Sequence, residues 1–333
     1  MSRKRLPILA VIVLLLFTFI LLEISTVSSS MTLSDIFLSL IHSDESIYSD
    51  IVWTYTMPRV IMALVIGAGL AICGAAMQAI FKNPMASPYI LGLSSGASVG
   101  AAIAIMFTIP FLPELVAAPV LAFIFCMMTT FLVYGLAKGT GVVSTESLIL
   151  IGMAISALFS ALVSLLTVLA GEKMSNIVFW TMGSLAQYNW DKVLIVMPII
   201  ILGSMMIMTY SRELNAIMLG DAHAKDLGIE VKKVRLTILL ITSLITAACV
   251  SFTGVIGFVG LIIPHVVRLL MGPDNRYMMP YSIITGALFL LICDYISRVA
   301  FSGDVLPIGV VTAIIGAPYV IYLIYKRKSE VGW

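Results

Sequence analysis

Charge is what this chain has least of. Only 11% of its 333 residues are Asp, Glu, Lys or Arg, against 61% hydrophobic ones. A water-soluble domain cannot hide that much apolar surface, so the composition excludes one and points to a bilayer. The net charge of +2 excludes the basic footprint that nucleic acid requires. Histidine is scarce as well. His42, His223 and His265 lie far apart, which argues against a metal centre, and no cofactor is implied. The four cysteines, Cys73, Cys126, Cys249 and Cys293, stand inside apolar runs without a C-x-x-C pattern. They read as small core residues, not as disulfides or metal ligands. The chain has no G-x-x-x-x-G-K-[ST] stretch, so it carries no P-loop for nucleotide phosphates.

What is present is a succession of apolar runs. Reading each as a span predicts an all-α polytopic membrane protein with about ten transmembrane helices, a single domain over residues 1–333. The spans fall at about Leu6–Ile24, Pro58–Phe81, Ile90–Phe107, Leu115–Ala137, Ser147–Leu169, Val193–Tyr210, Leu236–Phe252, Phe258–Leu270, Met279–Ile296 and Leu306–Tyr325. The first is too long for a signal peptide and lacks a clean cleavage site. Spans two and three are rich in glycine and alanine, as closely packed membrane helices are. Thr26–Thr56 is polar and acidic, KNPMASP (Lys82–Pro88) is a turn, and Gly171–Trp190 is an amphipathic, aromatic interfacial segment. The eighth span is short and interrupted at Pro264-His265.

Basic residues orient the spans. With both termini inside, 15 of the 19 Lys and Arg fall on the cytoplasmic side, leaving Arg59, Lys173, Lys192 and Arg298 outside. Spans two to five and seven to ten then form two blocks offset by five spans. An odd offset gives them opposite orientation, the inverted-repeat plan of many transporters. The sequence echo between them is faint: MASP (Met85–Pro88) against LIIP (Leu261–Pro264).

The longest polar run is Ser211–Arg235, with five basic and four acidic residues. Within it Gly220 and Gly228 bracket DAHAKDL. Asp221 suits an N-cap, alanines favour helix, and Gly228 suits a C′ stop. The expectation is a two-turn helix parallel to the membrane surface, offered to a partner outside this chain. A solvated loop between spans is the plainer alternative.

At PRVIMALVIGAGLAICGAAMQAIFKNPMASPYILGLSSGAS (Pro58–Ser98) the chain resembles the permease subunits of type II ABC importers, the FecCD-type family that carries iron–siderophores, haem and cobalamin. WTMGSL (Trp180–Leu185), LGDAHAKDLGI (Leu219–Ile229), GVIGFVGLIIPHVVRLLMGPDNR (Gly254–Arg276) and LPIGVVTAIIGAPYVIYLI (Leu306–Ile324) agree, in collinear order. The resemblance implies a permease without enzymatic activity of its own, paired with a second copy or a paralogue. Two ATPase subunits would bind below and a substrate-binding protein would dock above. It implies import of an iron(III)–siderophore-type chelate by alternating access, with cobalamin, haem and oxyanion importers sharing the motifs.

It also implies roles for residues. Gly220, Asp221, Ala222, Ala224, Leu227 and Gly228 match the family's coupling helix, which sits in a cleft of the ATPase. Arg59 and Arg298 match arginines that meet carboxylates of the binding protein, a task suited to the planar guanidinium fork. Interfacial snorkelling is the plainer reading of both. For Arg298 there is a third, an i,i+4 pair with Asp294, and the buried cost of Asp294 favours it. Some relatives carry a further arginine where this chain has Thr56. Pro264, His265 and Arg268 read as inner-face structural or ATPase-contact residues, since no acid or metal partner lies near them in sequence. Spans five and ten line the family's pathway, which makes Met153, Ser156 and Ser160 candidate cavity residues. The 20 methionines could line a route for bulky ligands or simply pack.

Two rival classes remain. A secondary transporter needs acids or histidines in mid-span, and Asp294, near a helix end, is the nearest to one. An intramembrane hydrolase could use GLSSG (Gly92–Gly96), which formally matches G-x-S-x-G. That motif needs a preceding strand and a base, whereas here it opens a membrane helix where small residues allow close packing.

Overall fold

The computed structural model describes residues 5–26, 47–139, 144–186, 189–300 and 305–330. The fold is built outward from α2 (Met57–Phe81), in which glycine and alanine replace bulk. A side chain on Gly67 would run into the Gly286 carbonyl, and one on Gly74 would run into Gly260. Helix backbones therefore touch along two seams, the arrangement that drives association where lipid offers no hydrophobic gain. One seam joins α2 to α9 (Asn275–Val299), the other to α8 (Val259–Met271). Of the most apolar window of α2, 78% is buried, and 72% for α7 (Val231–Thr253). For α1 (Arg5–Ser25) and α5 (Thr145–Leu169) the figures are 11% and 17%, so these stand at the periphery. The remaining apolar helices are α3 (Leu93–Met106), α4 (Glu114–Gly139), α6 (Trp190–Thr209) and α10 (Ile308–Glu330).

The ten expected spans are all present as apolar helices, seven of them long enough to cross a membrane. The apolar parts of α3, α8 and α10 are shorter. At 14 residues, α3 is about 21 Å long, less than the ~30 Å hydrocarbon core. Both α3 and α8 begin abruptly, after Gly92 at φ 78° and Phe258 at φ 67°. A 3-10 turn, Pro88–Leu91, leads into α3 and non-helical backbone at 254–257 leads into α8; irregular backbone at membrane depth is tolerated only where protein surrounds it. These two interruptions meet: the Tyr89 hydroxyl donates to the Ile256 carbonyl at 2.9 Å. Each follows the first helix of its block, and those helices are antiparallel, because Lys82 at the end of α2 and Arg235 near the start of α7 hold the same carboxylate. So the two blocks open in the same way from opposite sides, with a helix followed by an interruption.

Helix ends obey local chemistry. Ser144 caps α5 by accepting from the Ser147 N–H at 3.0 Å, Asn189 caps α6 and Asp274 caps α9. The segment read as polar linker before span two is partly helical. Ile47–Ile51 and a π-helical turn, Val52–Thr56, run straight into α2. Its acidic residues Asp35, Asp44 and Glu45, together with His42, lie outside the described residues. The interfacial segment is a 3-10 turn, Gly171–Lys173, and a helix, Met174–Met182. All four cysteines are buried and free. Among the described residues no cluster of His, Cys, Asp or Glu could hold a metal.

Candidate functional site

Contacts between helix ends sort the molecule into two faces. The lower face carries the polar stretch, which forms two helices rather than one. Ser211–Leu219 buries Leu214, Ala216 and Ile217 and is followed by Asp221–Asp226. Gly220 separates them at φ 135°, and it occupies the N-cap position that the sequence suggested for Asp221. Asp221 is inside the helix and its carboxylate caps nothing; it spans Lys82 Nζ at 2.6 Å and Arg235 Nη2 at 3.2 Å. Those two cations on separate elements outcompete a local N–H. Partial burial works against the charged form, but Lys82 and Arg235 hold the Asp221 carboxyl below the usual range.

The far end of the short helix is set as expected. Gly228 lies at φ 79°, its N–H bonds to Lys225 O at 2.9 Å, and the Ile229 N–H returns to Ala224 O at 3.0 Å. This pair of bonds is the Schellman stop. Ala224 is fully buried beneath the helix, Ala222 is exposed, and Leu227 stands out with 68% of its surface exposed.

Asn215 ties the first helix to α9. Its Nδ2 donates to Asp274 Oδ1 at 2.7 Å and its Oδ1 accepts the Asn275 N–H at 2.8 Å. Arg276 beside Asp274 holds that carboxyl well below the carboxylate range. The 211–226 helices are thus fixed to the end of α2 and the starts of α7 and α9. A force applied to them reaches three membrane helices at once. Nothing in the local sequence around Lys82, Arg235, Asn215 or Asp274 announces this bracket, because every partner is distant in the chain.

The upper face holds a cluster of four charges on α1, α2 and α9. Arg59 grips Asp294 with Nε and Nη2, at 2.7 and 2.8 Å. Arg298 Nη1 donates to Glu23 Oε2 at 2.6 Å. Both acids are fully buried. The expected i,i+4 pair of Asp294 with Arg298 is therefore not formed. Arg59 crosses from α2 to take Asp294, and Arg298 reaches the neighbouring α1 instead. Arg59 offers Asp294 a bidentate fork, the stronger kind of arginine–carboxylate pair. Glu23 was missed because its partner is 275 residues away.

Three family-like motifs converge near the same face. The Ile308 N–H bonds Gly183 O and the Ser184 N–H bonds Thr253 O. A side chain on Gly309 would strike the Met182 carbonyl, and one on Gly254 the Trp180 carbonyl. An open groove of about 500 Å³ runs beside this junction, lined by Met182, Gly257, Phe258, Val310 and Ile314.

Pro264 is buried in α8, and Arg268 Nη2 donates to the Gln78 side chain at 3.2 Å. Gln78 Nε2 in turn donates to the Leu261 carbonyl at 3.0 Å, beside the turn that Pro264 disturbs. His265 packs edge-on against Tyr319 of α10, with ring centroids 6.5 Å apart. On α5, Met153 and Ser160 are exposed, whereas Ser156 bonds Gly152 O and faces Gly92. Ser95 and Ser160 lie 3.4 Å apart. The GLSSG glycines pack against facing helices, Gly96 on Thr129 and Gly92 on Gly152.

These features define a polytopic permease with a braced surface helix and an open, non-polar groove at the opposite face. Residues 14–326 match the FecCD transport family, and the chain belongs to it. It is thus a permease of the ABC importer class. It is 41% identical over 278 residues to the cobalamin import system permease protein of Halobacterium salinarum, covering 84% of this chain and 74% of that one. To the hemin transport system permease protein of Yersinia pestis it is 36% identical, covering 82% and 83%. A solved structure, an inward-facing conformation of a metal-chelate type ABC transporter, superposes with TM-score 0.85 at 34% identity, covering 96% of this chain and 99% of the other.

Proposed function

We propose that this permease moves an iron(III)–siderophore-type metal chelate into the cytoplasm by alternating access, with its lower face and both termini cytoplasmic. The observation that carries the mechanism is the braced 221–226 helix: it is short, capped at its far end and anchored to α2 and α7, with Leu227 left outside. Two separate ATPase subunits receive this surface in a cleft, and their closure on ATP moves the helices attached to it. Pro264, His265 and Arg268 brace the inner end through Gln78 and α10. The ligand crosses between this chain and a second permease copy or paralogue, along the exposed faces of α5 and α10. There Met153 and Ser160 serve better as lining than Ser156, whose hydroxyl is turned to its own helix.

An extracytoplasmic binding protein docks on the upper face. Its carboxylates add to Arg59 and Arg298 from outside and share them with Asp294 and Glu23. A guanidinium has five N–H donors, and among the described residues Arg298 bonds inward through Nη1. Displacing the buried acids outright would strand them, at about 3–5 kcal/mol each.

The likeness to a metal-chelate transporter supports the substrate class. Cobalamin is a second reading, favoured by the 41% identical relative. Uptake of radioiron-labelled ferric siderophores and of labelled cobalamin, in a deletion strain carrying this permease with its ATPase and binding protein, decides between them. Accumulation of neither, with the complex assembled, would remove the chelate assignment.

A further inference from the structure

We propose that the lower face holds a specific site for an anionic phospholipid, with its headgroup against the 221–226 helix. Two neighbouring cavities, both lined by α5 and α7, make it. The upper one, about 210 Å³, is lined by Leu91, Val133, Tyr134, Leu148, Leu236 and Leu239 among others, with no polar surface. Apolar cavities of about 150 Å³ already take up benzene, so this one admits part of an acyl chain. Phe131 and Tyr134 at its edge are exposed or half-exposed, which opens it sideways to lipid. Counted along α4, α5 and α7, its lining lies roughly 5–14 Å from the lower helix ends, the depth of the first methylenes of one leaflet.

The second cavity, about 600 Å³, lies beside it: Ile149 follows Leu148 and Arg235 precedes Leu236. It is polar and basic, with Lys82, Lys225, Lys232 and Arg235 against Glu146 and Asp221. Lys82 and Arg235 are engaged with Asp221, whereas Lys225 and Lys232 form no ion pair among the described residues. Arg235 is 8% exposed, and its Nε has no hydrogen-bond partner. Two uncommitted lysines beside Arg235 in one groove call for an anion. An apolar slot at acyl depth next to a basic groove on the same two helices fits a phosphodiester headgroup on a lipid better than a soluble anion or a protein segment. Because Asp221 and Lys225 belong to both groove and short helix, occupancy would stiffen the helix that α2 and α7 carry.

The test uses the full-length permease, purified in mild detergent and offered equal amounts of phosphatidylglycerol and phosphatidylcholine. Retained lipid is counted by native mass spectrometry. Phosphatidylglycerol is expected to be retained preferentially. Each lysine beside an anionic headgroup is worth roughly fivefold, so Lys225→Gln/Lys232→Gln should reduce the preference about 25-fold without lowering the thermal unfolding midpoint. Leu239→Trp, which fills the slot, should lower retention of phosphatidylglycerol in a protein that still elutes as a monodisperse peak. Equal retention of the two lipids, or an unchanged preference in the double variant, overturns the proposal. So does displacement by soluble glycerol phosphate with no effect of Leu239→Trp, which would assign the groove to a free anion. Loss of the lipid on adding the ATPase subunits would likewise overturn it, by assigning the groove to that partner.

Discussion

The upper and lower faces use the same chemistry, acids held by bases on distant helices, under opposite solvation. Above, the side chains of Asp294 and Glu23 are wholly buried and their arginines are 13% and 18% exposed. Below, the Asp221 and Lys82 side chains are 40% and 37% exposed. A buried pair adds little net stability over an apolar substitute, yet losing one member is costly, because the other is left charged in a poor solvent. An exposed pair is worth about 0–1 kcal/mol and is screened by salt. The upper cluster therefore fixes which helices neighbour which, while the lower bracket positions a surface and can yield.

Breaking the upper cluster should give the largest effect. Arg59→Ala strands Asp294 and is expected to cost about 3–5 kcal/mol, seen as a fall in the unfolding midpoint and in folded yield from membranes. Adding Asp294→Asn should restore most of it; a double variant as unstable as the single would show that the pair is not what α2 and α9 depend on. Arg298→Ala should follow with a somewhat smaller loss, since a single bond replaces a fork, and Glu23→Gln should rescue it.

At the lower face, Gly228→Val forces a branched residue into the left-handed region at roughly 1–2 kcal/mol, enough to fray a helix of six residues. The protein should insert normally, while ATP hydrolysis by the assembled complex continues with uptake lost. Leu227→Ala should uncouple in the same way through lost contact; normal transport in both would falsify the coupling role. The smallest effect belongs to Asp221→Asn, within about 1 kcal/mol. Since the folded pKa of Asp221 lies below its unfolded value, its contribution is present above the ordinary carboxylate range and fades as pH falls through the lowered value. The opening free energy across 221–226, from amide exchange corrected for its intrinsic pH dependence, should accordingly be flat from neutral pH down to mild acid and fall only in stronger acid.

Much of the fold was legible because membrane spans announce themselves by length and hydropathy; α8 is short as read, but it runs unbroken through Pro264-His265, where an interruption was expected, because Gln78 and the packing against α2 hold that turn. Gly228 was legible as a stop because a left-handed C′ position is a local demand. Long-range electrostatics was not. The nearest base in sequence to Asp294 is Arg298, yet geometry across helices gave it to Arg59. The same blindness misread Asp221 as a cap, since Lys82 and Arg235 reach it from the ends of other helices. Ser211–Leu219 was overlooked as a helix because its amphipathic pattern is short and embedded in charge.

The touching backbones of α2 with α8 and α9 have a mechanical consequence. Helices separated by long side chains can shear past each other, but a one-turn slip at Gly67–Gly286 or Gly74–Gly260 would drive a bulkier neighbour into a carbonyl. Spin labels at the exposed Leu269 and Ile296 should accordingly keep their separation throughout turnover. The trio should therefore travel as one rigid block, passing on undistorted whatever displacement the 211–226 helices deliver to α2 and α9.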